Sequence, residues 1–189
     1  MEEQYYPWGG DFTASDPQGS VAVVLLTINY TPPPSVAIYG SLKTENIGVE
    51  KIVANVISNP HIRFLLLCGQ DIRGHRAGAS LLALHKNGID ESHRIIDAPG
   101  AIPFIENLDD DALTRFQEQI KVIDLLGNTD EKHITKIITD CLKEKLPVFG
   151  EPFIALRLTP VTQHSIDDKR ALHANIIVDY QGHVKKRGE

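Results

Sequence analysis

Ile62-Arg63-Phe64-Leu65-Leu66-Leu67-Cys68-Gly69-Gln70-Asp71-Ile72-Arg73-Gly74-His75-Arg76-Ala77-Gly78 decides how this chain folds. Residues 62–67 form a short, mainly apolar run that reads as a strand and stops at Cys68-Gly69. A polar loop follows and carries His75 between Gly74 and Gly78. Ala79-Ser80-Leu81-Leu82-Ala83-Leu84-His85 then resumes with the apolar spacing of a helix, closed by Asn87-Gly88. Strand, loop and helix make the unit of an open α/β sheet, whose ligands sit outside the carboxyl ends of the strands. An imidazole stands at such an end, with little side-chain bulk beside it, placed to reach a large flat ligand.

The same alternation extends in both directions. Residues 21–28 (VAVVLLTI) are a β-branched strand stopped by Thr31-Pro32-Pro33-Pro34. Residues 36–39 read as a second short strand. Thr44 and Asn46 open a helix through Ser58, because Ile47, Val49, Ile52, Val53 and Val56 share one side; Asn59-Pro60 ends it. Residues 94–97 are predicted as a short strand, and 98–103 as a turn. Asp109-Asp110-Asp111 caps a helix over 112–120, and 122–125 are another strand. Thr129-Asp130-Glu131 starts a helix to about Lys145. The fold class is therefore α/β: a mostly parallel, doubly wound sheet flanked by helices. The predicted organisation is an extended arm over 1–19, one α/β domain over 20–150, and an extension over 151–189. In that extension 153–158 and 176–178 read as strands and 179–182 as a turn, forming either an antiparallel edge hairpin or a tail.

Composition bounds what such a domain does. At 189 residues, 42% hydrophobic and 23% charged, it is an ordinary globular chain able to bury one core. A net charge of −6 gives no basic footprint for nucleic acid, and Lys185-Lys186-Arg187 is too short to supply one. The longest apolar runs fall well below the ~20 residues of a bilayer span, and no secretory signal is visible. Cys68 and Cys141 make no CxxC pair or disulfide framework, so a reduced, cytoplasmic setting is expected. Cys68 reads as a small core residue whose position could make it reactive, and Cys141 as helix packing. His61, His85, His93, His133, His164, His173 and His183 lack H-x-x-x-H spacing, which argues against a zinc site. Neither G-x-G-x-x-G nor a P-loop is present.

Four blocks in order resemble the A subunit of tetrahydromethanopterin S-methyltransferase. They are Lys43-Thr44-Glu45-Asn46-Ile47-Gly48-Val49-Glu50-Lys51, Ser58-Asn59-Pro60-His61-Ile62-Arg63-Phe64, Cys68-Gly69 with Gly74-His75, and Gly100-Ala101-Ile102-Pro103-Phe104-Ile105-Glu106-Asn107. The resemblance runs from about Val21 to Leu126. It implies a Rossmann-like domain carrying a cobalamin-type corrinoid, whose cobalt takes a protein histidine as lower axial ligand in place of the cofactor's own base. The matching position is His75. It further implies a methyl carrier: methyl passes from a tetrahydropterin to cobalt and on to a thiol such as coenzyme M, with partner proteins holding the pterin and thiol sites.

On that resemblance the residue types can be assigned. Neutral imidazole is a good ligand for first-row metals. Gly74 and Gly78 keep the surface low under a macrocycle. The ring nitrogen that does not bind metal needs a partner, and Asp71, on the same loop, is the local candidate. Corrin side-chain amides would meet Gly69, Gln70, Thr44, Asn46 and the loop Pro99, Gly100, Ala101, Ile102 and Pro103. A single loop histidine is otherwise more often a surface residue, and Asn46 and Gly48 serve equally as helix starters. Family members of the membrane complex end in a transmembrane helix, whereas this chain reads as a soluble homologue. Two alternatives stay open: a protein that stores, delivers or senses cobalamin without catalysis, and an α/β module binding a different ligand.

Overall fold

Strands that are apolar at every position need cover on both faces, and the two central strands have it. The computed structural model describes residues 5–155 together with two short strands near the C-terminus. The chain divides into two units, Met1–Leu156 and Arg157–Glu189. In the first, β1 (Phe12–Ala14), β2 (Val21–Leu25), β3 (Ile38–Ser41), α1 (Ile47–Ser58), β4 (Phe64–Gly69), α2 (Ala77–Asn87), α3 (Asp110–Gln119), β5 (Lys121–Leu126) and α4 (Glu131–Lys143) follow in that order. They build a five-stranded sheet in the order β1-β3-β2-β4-β5. β3, β2, β4 and β5 are parallel, and β1 adds antiparallel to β3. In the second unit, β6 (Ile176–Val178) pairs antiparallel with β7 (Val184–Lys186).

The period of two along a strand sorts β2 and β4 between two cores. Ala22, Val24, Leu65 and Leu67 face a cluster with Val49, Val53 and Ile57 of α1, Leu81 and Leu84 of α2, and Phe116 of α3. Val21, Val23, Leu25, Leu66 and Cys68 face the other, with Ile134, Ile138 and Cys141 of α4. Burying each leucine of β4 contributes about 1.5–3 kcal/mol. The β2–β3 connection contains no helix. Its Tyr30 and Val36 are buried on the α4 side, where Tyr30 Oη meets Thr135 Oγ1 at 2.7 Å, so the proline-rich loop itself covers that face.

Helix starts follow the predicted chemistry. Asp109 accepts from the Ala112 N–H, and Asp130 from those of Lys132 and His133. Two strand predictions fail. Residues 94–97 join no sheet; Arg94 and Ile95 make only isolated bridges to Phe104 and Ile89. Positive φ at His93 (65°) and Asp97 (60°) breaks the extended run on both sides. Residues 153–155 are likewise not a strand, while 156–158 and the predicted 179–182 turn lie outside the described residues.

The chain leaves β2 toward β3 on one side and later leaves β4 toward β5 on the other. Between β2 and β4 the strand order reverses, the position at whose carboxyl ends open α/β sheets bind their ligands. That end is stitched together by Leu26 N–H to Cys68 O at 2.9 Å and Thr27 Oγ1 to Gln70 O at 2.8 Å. The loop carrying His75 rises from it.

Candidate functional site

β4 ends on Gly69 at φ +90°, where a Cβ would lie 2.9 Å from Ile28 Cγ2. The chain then passes Gly74 (φ +97°), which has open space where its Cβ would be. Arg76, immediately after His75, is held in the left-handed region (φ 46°, ψ 45°) without a capping side chain of its own. Asp71 does the capping: its two carboxylate oxygens accept from the Gly78 N–H (2.7 Å) and the Ala79 N–H (2.8 Å). This corrects the reading of Asp71 as the imidazole's partner.

The partner is Glu45. His75 Nδ1 lies 2.9 Å from Glu45 Oε2, and the other oxygen, Oε1, accepts from the Ile102 N–H at 3.0 Å. The carboxylate is only 3% exposed while the imidazole is 56% exposed. Burial pushes the Glu45 pKa up, but the N–H groups of Ile102 and of Glu45 itself, together with His75, outweigh it and hold the group below the ordinary glutamate value. An ionised carboxylate only accepts, so Nδ1 carries the proton. Nε2 is left facing away from the buried carboxylate, with no hydrogen-bond partner among the described residues.

Gly100 closes the arrangement from behind. A Cβ there would stand 2.7 Å from Glu45 Cγ, 2.7 Å from His75 O and 2.8 Å from Ser80 Oγ. Glu50, also buried, accepts from the backbone N–H groups of Glu106 and Asn107 and from Asn107 Nδ2. Glu45 and Glu50 thus tie the loop over residues 98–107 to the start of α1. Ile47, Ile72 and Ile102 belong to the three segments that meet at the His75–Glu45 pair, and they are 42% to 60% exposed.

The other predicted residues divide by role. Thr44 Oγ1 accepts from the Gly48 N–H (2.9 Å) and Asn46 Oδ1 from the Ile47 N–H (2.8 Å), so both start α1 and flank Glu45. Gln70 offers Thr27 its carbonyl and leaves its side chain exposed. Gly78 packs under Leu26 and Leu126. Pro99 and Ala101 are exposed on the Ile102 loop, and Pro103 is buried with its carbonyl accepting from Ile95 N–H. Cys68 is fully buried, and burial pushes its thiol up to about 12, which removes the reactive reading. Among the described residues no group of three or more His, Cys, Asp or Glu side chains could hold a metal ion.

Comparison with known proteins shows the family. The family described as the A subunit of tetrahydromethanopterin S-methyltransferase matches residues 2–164. This chain belongs to that family. It is 49% identical over 151 residues to the A subunit of a putative methyltransferase Mtx of Methanosarcina acetivorans, covering 80% of this chain and 76% of that one. Methanobrevibacter ruminantium has tetrahydromethanopterin S-methyltransferase A subunits numbered 1 and 2. This chain is 43% identical over 153 residues to the first, covering 79% and 62% respectively. It is 42% identical over 153 residues to the second, covering 79% of each. Among the described residues no helix is long and apolar enough to cross a membrane.

The four resembling blocks of this A-subunit homologue now have physical reasons. The first supplies Glu45 and Glu50, the third His75, and the fourth Gly100, the Ile102 N–H and the donors to Glu50. The second lies elsewhere, at the amino end of β4: the Asn59 amide donates to Tyr6 Oη and Pro17 O, fixing the N-terminal arm. Sequence reasoning missed Glu45 and Glu50 because they lie 30 and 56 residues from His75 and Glu106. Their acidic type directly before and within an apolar helix was the available signal.

Proposed function

We propose that this chain is the corrinoid-carrying component of a methyl-transfer system, with His75 Nε2 as the lower ligand to cobalt. One observation carries the reading: an exposed imidazole whose inner nitrogen is fixed by a buried, ionised carboxylate. That is how a metal-binding histidine is oriented and made more basic. The surroundings fit a flat macrocycle. The surface beside the ring is kept low by Gly74, which has open space where a Cβ would be, and Ile47, Ile72 and Ile102 on the neighbouring segments are exposed. When bound, the cobalt supplies the chemistry of accepting a methyl group from a tetrahydropterin and passing it to a thiol such as coenzyme M.

The protein's own contribution is positional and electrostatic. Glu45 keeps the proton on Nδ1 and so directs the Nε2 lone pair outward. Ile102 N–H and Gly100 hold Glu45 against the back of the ring. Donor and acceptor sites belong, in this proposal, to partner methyltransferase proteins.

Titration with hydroxocobalamin tests it. The wild type should bind one equivalent with the absorption change of histidine coordination. His75→Ala should lose that change and bind about 10–100-fold more weakly. An identical spectrum and affinity in the variant would remove His75 as the ligand.

A further inference from the structure

Glu50 lies in the first turn of α1, five residues after Glu45, and is only 2% exposed. A carboxylate taken out of water is costly unless donors replace the water. Three do. Its Oε1 accepts from the Glu106 and Asn107 N–H groups, and its Oε2 from Asn107 Nδ2 at 2.8 Å. All three come from the far end of the 98–107 loop. Nearer its start the loop gives one more such bond, from the Ile102 N–H to Glu45 Oε1 at 3.0 Å. Among the described residues, Glu50 therefore takes three of the four hydrogen bonds that join this loop to residues 45–50.

Side-chain packing holds little of the loop. Ala101, Ile102, Glu106 and Asn107 are exposed, and Pro103 and Ile105 are buried between them. The backbone bonds of that middle part run elsewhere: Ile95 N–H donates to Pro103 O, and Ile105 N–H to His93 O. They set the shape of the loop and leave its seating on α1 to the two carboxylates and the buried Ile105. Glu45 is tied at both oxygens, one to the Ile102 N–H and the other to His75 Nδ1. If the loop shifts, one oxygen follows the N–H and the other leaves the ring. We propose that Glu50 is a positioning residue for the His75 imidazole, acting through the 98–107 loop and Glu45 without a hydrogen bond of its own to the ring. The role rests on the proposed coordination by His75 Nε2, because only the tautomer with its proton on Nδ1 leaves that lone pair free.

The ring is the first readout, in the chain without cofactor. Nitrogen-15 NMR of histidine-labelled protein at mildly alkaline pH separates the Nδ1–H from the Nε2–H form, with the His75 signals assigned by their loss in His75→Ala. Wild type should show the Nδ1–H form. Glu50→Ala removes all three acceptors and should give a mixture containing Nε2–H. Glu50→Gln should restore the wild-type pattern: its Oε1 keeps the two backbone N–H groups, and the Asn107 amide turns its oxygen to the new donor. Asn107→Ala keeps the backbone bonds and should shift the ring less, in the same direction; it carries the test where Glu50→Ala does not fold. Hydroxocobalamin titration is the second readout. Glu50→Ala should bind about tenfold more weakly, the lower end of the loss seen when a metal ligand's supporting partner is removed, and Glu50→Gln like wild type. Gln119→Leu, a loss of buried hydrogen bonds at the opposite end of the sheet, controls for stability and should move neither readout. The proposal is overturned if folded Glu50→Ala keeps the wild-type ring pattern and affinity, or if Asn107→Ala does so where Glu50→Ala does not fold. It is also overturned if Gln119→Leu gives the same shifts, or if Glu50→Gln shifts as far as Glu50→Ala, which would make the effect one of charge rather than seating. A wild type that takes up no cobalamin while its ring still responds to Glu50 would remove the cobalt role and leave the positioning role standing.

Discussion

The two ends of the sheet are held by opposite chemistry. At the amino ends of the strands, donor side chains satisfy backbone carbonyls. Gln119 Nε2 donates to the carbonyls of Val56, Asn59 and Ile62, and Arg63 to those of Gln119 and Pro147. Arg115 donates to Phe149 and Glu151, and both guanidinium groups stack on the Phe149 ring, at 5.1 Å and 4.7 Å. At the carboxyl ends the side chains are acceptors: Asp71, Glu45 and Glu50 collect backbone N–H groups from α2 and from the 98–107 loop. The first end uses its donors up within the fold. The second leaves one ring nitrogen unused, on a residue flanked by Gly74 and Arg76 at positive φ. Stability is built at one end and, in the function proposed above, a ligand site at the other, which is where backbone strain is tolerated.

That contrast can be broken from either side. Gln119→Leu strips the donor from three buried carbonyls and should cost on the order of 2–4 kcal/mol in chemical unfolding. Cobalamin affinity of the folded fraction should stay at the wild-type value; a parallel loss of affinity would show the two ends to be coupled. Gly100→Ala forces a methyl group against Glu45, His75 and Ser80, and should cost about 1–3 kcal/mol through overpacking. Unlike the first variant, it should also weaken cobalamin binding, measured by the same titration.

Glu45→Gln keeps the shape and removes the charge. Affinity for cobalamin should fall about 10–100-fold, and the unfolding free energy at neutral pH should fall by about 1–3 kcal/mol. The same group sets an acid limit. Its folded pKa lies below the ordinary glutamate value of 4.5, so it adds stability above that value. That contribution should disappear as pH falls from about 4.5 through the lower folded pKa, and Glu45→Gln should flatten this part of the pH–stability curve. The smallest effect is expected at Lys121–Glu144, an ion pair at 2.7 Å with both side chains about half exposed. Glu144→Gln should change stability by no more than about 0.5 kcal/mol.

The sheet was legible because its central strands are apolar at every position and are separated by helical periods. Parallel order and two-sided burial follow from that pattern. The His75 position was legible from the strand–loop–helix junction and from the family resemblance. The partner of its ring was not. Asp71 is close in sequence, but the backbone turns through Gly74 and Arg76 and delivers its oxygens to the α2 N–H groups instead. Glu45 comes from before α1, and only tertiary packing against Gly100 brings it to the imidazole. Short-range spacing cannot encode that contact. The strand predicted over residues 94–97 failed for a related reason: its apolar pair has the composition of a strand but is flanked by left-handed residues that composition does not reveal.

The central claim concerns a single nitrogen, and electron paramagnetic resonance reads it directly. Cobalamin-loaded chain, reduced by one electron to the paramagnetic cobalt state, should show splitting from one axial nitrogen. Labelling the protein's histidines with nitrogen-15 should convert each three-line pattern to two lines, and the splitting should vanish in His75→Ala. A three-line pattern that persists after labelling would assign the axial nitrogen to the cofactor's own base and contradict the account.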